Sequence, residues 1–204
     1  MVRMIVDGKP TDVPDEYALG WAMSNMVSSY EIVGGVHWAL YFGMPASSST
    51  RFISLLDKAC ESLSENVPTV DEPTLRRVAE RLAPALSVFV EAAKSTLRWQ
   101  KANVSSATRK KHNRESRETG PQEPEWFRTG EGRGQLENLS SSYGDYLDAL
   151  DPTLDELMDL VDPFDPDNYA EHLKRTRERI LFARDVVTSG YVEAYRRAAG
   201  LQGE

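Results

Sequence analysis

From Thr74 to Val104 the apolar residues Leu75, Val78, Leu82, Leu86, Phe89, Ala93 and Leu97 recur at steps of three and four. That spacing gathers them on one side of a helix and makes this stretch the spine around which the rest of the chain is organised. Pro73 fits the first turn, where its missing N–H costs nothing, and Glu72 complements the positive end of the helix dipole. Pro84 removes one backbone hydrogen bond and predicts either a kink or two shorter helices. The stretch ends in Arg98-Trp99-Gln100-Lys101-Ala102-Asn103, a polar and aromatic cluster that is the first candidate for a site.

The same period marks the chain on either side. Residues 1–14 form an N-terminal arm with a short strand, Val2 to Val6, whose partner is not evident; it packs on the domain or pairs with a second copy. Asp15 predicts a helix cap, and Glu16 to about Phe42 predicts a long helix interrupted at Gly34-Gly35. Phe52, Leu55, Leu56, Ala59, Cys60 and Leu63 mark another helix that stops before Pro68. Residues 105–134 change character. Arg109, Lys110, Lys111, Arg114 and Arg117 crowd five of the 24 basic residues into nine positions, followed by Gly120, Pro121, Pro124, Gly130, Gly132 and Gly134. This reads as one long loop, pinned to the body by the apolar pair Trp126-Phe127.

From Gln135 to Asn168 the sign inverts: ten carboxylates and no Lys or Arg accompany a helical apolar stripe, broken at Asp151-Pro152. Residues 168–199 predict one long C-terminal helix whose seam of Tyr169, Leu173, Thr176, Ile180, Ala183, Val187, Gly190, Ala194 and Ala198 is close to a heptad. The fold class is all-α: a mainly antiparallel bundle of five or more helices in a single domain, 15–204, with one long charged loop.

Composition sets the limits. Apolar residues at 40% and charged residues at 27% are those of an ordinary globular domain. A net charge of −8 argues against a chain that coats nucleic acid along its whole surface, while leaving room for a local basic patch. The lone Cys60 forms no internal disulfide, which suits a reducing cytoplasm, and its place beside Leu56 and Leu63 predicts a buried thiol rather than a nucleophile. MVRMIVDGKP has too short an apolar run for a secretory signal, and no window is apolar enough for a membrane span, so no membrane partner is expected.

Catalytic constellations are sparse. His37, His112 and His172 are scattered, and neither HExxH, CxxC, GxGxxG nor a P-loop occurs. Gly130-Glu131-Gly132-Arg133-Gly134 lacks the strand-to-helix setting of a phosphate loop. Asp162-Pro163-Phe164-Asp165-Pro166-Asp167-Asn168 lacks the distal Glu of a calcium loop, and reads as a turn in which Asp167 or Asn168 caps the last helix. Neither a metal nor an organic cofactor is expected. The basic run can contact phosphates, answer the acidic stretch in the same chain or in an acidic protein partner, or stay solvated.

The layout resembles the HEPN (higher eukaryotes and prokaryotes nucleotide-binding) domains over roughly residues 16–161. In that family a long helix ends in Arg, four to six residues, then His. Arg98-Trp99-Gln100-Lys101-Ala102-Asn103 puts Arg98 at the Arg position and Asn103 at the His position; the preceding Arg51-to-Ala59 helix and the following tryptophan-bearing loop match as well. The resemblance implies a helical, often dimeric fold that in many members is a metal-independent ribonuclease of toxin–antitoxin and phage-defence systems. Asn cannot exchange a proton near neutral pH as His does. The expectation is therefore a non-catalytic module, homo-oligomeric, that binds RNA, a nucleotide or an acidic protein through Arg98, Asn103, Arg109, Lys110, Lys111 and Arg114. An adaptor working through helix–helix assembly on the C-terminal seam, or a ribonuclease using His112, are the alternatives.

Overall fold

The spine helix begins where its sequence signals lie. The Glu72 carboxylate accepts the Leu75 N–H at 2.5 Å, and Pro73 opens the first turn. This is seen in a computed structural model that describes residues 1–44, 46–120, 122–128, 130–161 and 167–200, with 46–48 described as backbone alone. The order is β1 (Val2–Val6), β2 (Lys9–Val13), α1 (Asp15–Ala22), a π-helical turn (Met23–Val27), α2 (Ser28–Tyr41), α3 (Ala46–Asn66), α4 (Pro73–Asn103), α5 (Ser106–Thr119), a 3-10 turn (Glu125–Phe127), α6 (Gly130–Met158), α7 (Tyr169–Ser189) and α8 (Tyr191–Ala198). The fold is all-α apart from the small hairpin.

α4 is one continuous helix of 31 residues that carries Pro84 within it, and it packs on α6 and α3. Val78, Leu82, Leu86, Phe89, Ala93 and Leu97 are all buried, so the whole stripe faces the core. α6 likewise runs through Pro152, where the sequence predicts a break. Leu147, Leu150, Leu154 and Leu157 are buried on both sides of the proline, and this packing keeps the axis intact across one missing hydrogen bond.

The N-terminal strand has a partner after all. β1 pairs antiparallel with β2, Val2 opposite Val13 and Val6 opposite Lys9, through a two-residue turn. Asp7 and Gly8 both have positive φ (50° and 73°), as the twist of a tight hairpin demands. The other edge of β1 is closed by side chains: Asn66 Oδ1 accepts the Ile5 N–H and Asp71 Oδ1 the Arg3 N–H, each at 2.8 Å. Met4 enters the main core.

Three further expectations change. The first long helix is interrupted at Met23–Val27, not at Gly34-Gly35. The C-terminal helix ends at Ser189, because Gly190 (φ 79°) turns the chain into α8. The loop 105–134 contains α5, the 3-10 turn and the first turn of α6. Trp126 and Phe127 do pin this region: Phe127 is fully buried and stacks on Trp99 with centroids 5.9 Å apart. Gly43 (φ 63°) and Gly132 make room for Trp126, since a Cβ would lie 2.4 Å from its ring at the first and 1.9 Å from its carbonyl oxygen at the second. Residues 162–166 of the Asp-Pro turn lie outside the described residues. Asn168 takes the cap position of α7 with φ 56°, but without a side-chain cap bond.

Five of the nine residues of the near-heptad seam are spent inside the chain: Leu173, Thr176, Ile180 and Ala183 are buried under α6, and Ala194 joins a small second core with Phe42, Val186 and Tyr191, while Ala198 is exposed. Among the described residues, no helix is long and apolar enough to cross a membrane.

Candidate functional site

At the end of α4 neighbouring residues have opposite duties. Trp99 packs against Phe127, and Gln100 is buried with its Nε2 donating to the Leu40 carbonyl at 3.1 Å. These two tie α4 to the end of α2 and to the 3-10 turn. Arg98 and Asn103 point outward and are exposed. Five residues apart on a helix, they stand about 140° apart around the axis and do not share a face. Asn103 Nδ2 donates to the Trp99 carbonyl of its own helix, and Arg98 has no ion-pair partner among the described residues.

α5 begins on a sequence signal that periodicity cannot detect. Ser105 caps it, its Oγ accepting the Thr108 N–H at 3.0 Å, and no Gly or Pro follows until Gly120. No residue of α5 is buried. It carries five cations against Glu115 and Glu118 in a chain of net charge −8. Lys110, Arg114 and Arg117 are spaced i, i+4, i+7, which aligns them in a stripe down one side. Only Lys111 is ion-paired, to Glu115 at 3.8 Å; Arg109, Lys110, Arg114 and Arg117 have no carboxylate partner among the described residues.

Among the described residues, no ion pair joins the acidic stretch to this run. Glu156 is held by Arg77 (3.2 Å) and Arg81 (2.5 Å) of α4. Burial by itself would raise its carboxyl, but the two guanidinium groups outweigh that and draw it below the usual range. Arg184 of α7 reaches Asp148 (2.6 Å) and Asp151 (3.3 Å), and Arg177 pairs with Asp155. Four carboxylates of α6, Asp148, Asp151, Asp155 and Glu156, are thus paired with its packing neighbours rather than with α5.

Beneath α5 a cleft of about 400 Å³ is lined by Asn103, Lys111, His112, Glu123, Trp126 and Arg128 among others. His112 reaches it because the chain turns at Val104 and Ser105; its Nε2 lies 3.2 Å from the Phe42 carbonyl, and its ring meets Trp126 edge-on at 5.1 Å. Of the residues expected at a site, Asn103 and Lys111 line this cleft. Arg98, Arg109, Lys110 and Arg114 do not. No group of three or more His, Cys, Asp and Glu among the described residues could hold a metal ion.

A second polar centre escapes sequence reasoning. His37 is wholly buried in α2, with Nδ1 3.0 Å from the Tyr191 hydroxyl and Nε2 3.1 Å from Ser140 Oγ. Its partners lie 154 and 103 residues away, so no local spacing announces them. Loss of hydration pushes its pKa down to about 3, which keeps the ring neutral and makes it too weak a base to activate Ser140 near neutral pH. The arrangement works as a clamp between α2, α6 and α8. Cys60 is half-buried, and burial raises its thiol to about 12, far from a reactive thiolate. Comparison of the chain with protein-family models, with curated proteins and with solved structures returns no match.

Proposed function

We propose that this protein is a non-catalytic helical module that binds RNA through the cations of α5 and the end of α4, in keeping with its resemblance to HEPN domains. The observation that carries the reading is the stripe of Lys110, Arg114 and Arg117, unpaired among the described residues, in a chain where four carboxylates of the acidic tract are paired with other helices. Charges left unpaired on an exposed helix are free to replace the counterions of a phosphate backbone. Asn103 adds a hydrogen-bonding side chain at the edge of the adjoining cleft. A defence or toxin–antitoxin setting and pairing of two copies through the Arg98 ends belong to the same proposal.

A gel shift with a single-stranded RNA oligonucleotide over a series of salt concentrations tests it. Binding is expected to weaken with salt. Replacing Lys110, Arg114 and Arg117 together by Gln should lower the slope by roughly 2, because each phosphate neutralised on a single strand accounts for about 0.7. No retention at low salt, or a slope that the triple variant leaves unchanged, overturns the reading. Sedimentation velocity tests the pairing.

A second reading, a metal-independent ribonuclease, draws support from one juxtaposition: Asn103 and His112 line the same cleft. It requires RNA turnover that His112→Ala abolishes. The adaptor reading draws less support from the α7–α8 seam, because Leu173, Thr176, Ile180, Ala183 and Ala194 are buried within the chain.

A further inference from the structure

Away from α5, a cavity of about 350 Å³ opens between α2, α6, α7 and α8. Its walls are six aromatic rings: Tyr30, Trp38, Tyr143, Phe182, Tyr191 and Tyr195. Tyr30, Tyr143 and Tyr191 are buried and form the floor. Phe182 and Tyr195 meet at 5.1 Å, and Tyr195 stands at the lip with 54% of its surface exposed. A tyrosine left this open beside a ring-lined hollow offers a face for stacking. Gly34 keeps the hollow clear, since a Cβ there would lie 3.2 Å from the Tyr143 hydroxyl.

The rim carries two charges, Arg179 and Glu31, paired at 2.6 Å through one nitrogen and one oxygen. The pair engages only Nη1 of Arg179, and its other N–H groups have no partner among the described residues. A ring of aromatic faces alone would suit a cation. With several N–H donors still free, that guanidinium instead favours a planar anion such as a carboxylate.

We propose that this cavity binds a small planar aromatic acid, its ring against Trp38 and the Phe182–Tyr195 edge and its acid group on Arg179. The volume suits a ligand of one or two rings. The site shares no lining residue with the α5 cleft, so it stands independently of RNA binding.

Fluorescence titration of the full chain with anthranilate, read as energy transfer from tryptophan, tests this directly. Saturable one-to-one binding is expected, with aniline and phenyltrimethylammonium at least about tenfold weaker, as a charge-assisted hydrogen bond implies. Arg179→Gln should weaken anthranilate by about the same factor, while Arg184→Gln, on the same helix but paired with Asp148 and Asp151, should not. Gly34→Val should block binding, and Arg179→Gln, at an exposed side chain, decides the matter should that variant not fold. Absence of saturation at millimolar anthranilate, equal affinity for either of the other two probes, or indifference to Arg179→Gln overturns the proposal.

Discussion

His37 occupies a place where burial disfavours charge. Its ring touches Tyr143 at 4.7 Å and Tyr191 at 5.6 Å, and both of its nitrogens are engaged by hydroxyls. In the unfolded chain the imidazole protonates near its ordinary 6.5, whereas in the folded chain burial holds it neutral down to about 3. Below pH 6.5 the unfolded state therefore binds one proton more than the native state. Stability from this group is complete above 6.5 and falls as pH drops towards 3. Urea unfolding is expected to show a loss of about 2 kcal/mol between about pH 7.5 and pH 5 from this residue. His37→Asn should be less stable at neutral pH yet flatter across that window; an equally steep decline in the variant would refute the assignment. Gly132 is a second residue with a precise steric duty. Gly132→Ala must displace both the Trp126 carbonyl and the Trp99 ring, which a Cβ would approach to 1.9 Å and 2.6 Å, and should cost about 1–3 kcal/mol in the same assay.

At the level of elements, α5 has the least to hold it in place. It buries no residue, and His112 fastens its middle to Phe42 and Trp126. Ser105→Ala removes its cap, worth about 1 kcal/mol, and should raise amide exchange along 106–119 while leaving the global melting temperature unmoved. A drop in melting temperature equal to the cap's full value would show α5 to be part of the cooperative core. The same lack of burial explains why α5 is illegible to periodicity: its sequence, SATRKKHNRESRET, has one apolar residue, Ala107, so no stripe exists to be read. The spine helix and α3 are legible because Leu, Val and Phe repeat along a single buried face. β2, Lys-Pro-Thr-Asp-Val, buries only Val13 and gives no alternation, so the hairpin rests on the Asp7-Gly8 turn chemistry. The candidate site divides in the same way. Its cations are plain in the sequence; that three of them form a stripe depends on the helix, and that they go unpaired depends on which arginines reach the acidic tract.

Across the whole molecule one apolar core runs from Val2 and Met4 of β1 through α2, α3, α4 and α6 to Ala183 of α7, with a second, smaller core around Phe42, Val186, Tyr191 and Ala194. α4 spans most of this length, about 46 Å at the usual rise, and crosses Pro84 without interruption. Continuity of the core on both sides of the proline makes the two halves of α4 a single cooperative unit, since Leu82, Leu86 and Phe89 bury their side chains in one cluster with Leu139 and Leu147 of α6. Native-state hydrogen exchange should then give the slowest amides of 75–83 and 88–100 the same opening free energy, equal to that of global unfolding. α8, which rests on the smaller core and on the His37–Tyr191 hydrogen bond, should open at lower free energy, and more readily still in the His37→Asn variant. Two distinct free energies for the two halves of α4 would mean that Pro84 divides the fold into separately stable parts, and that α4 is two helices in its energetics though one in its geometry.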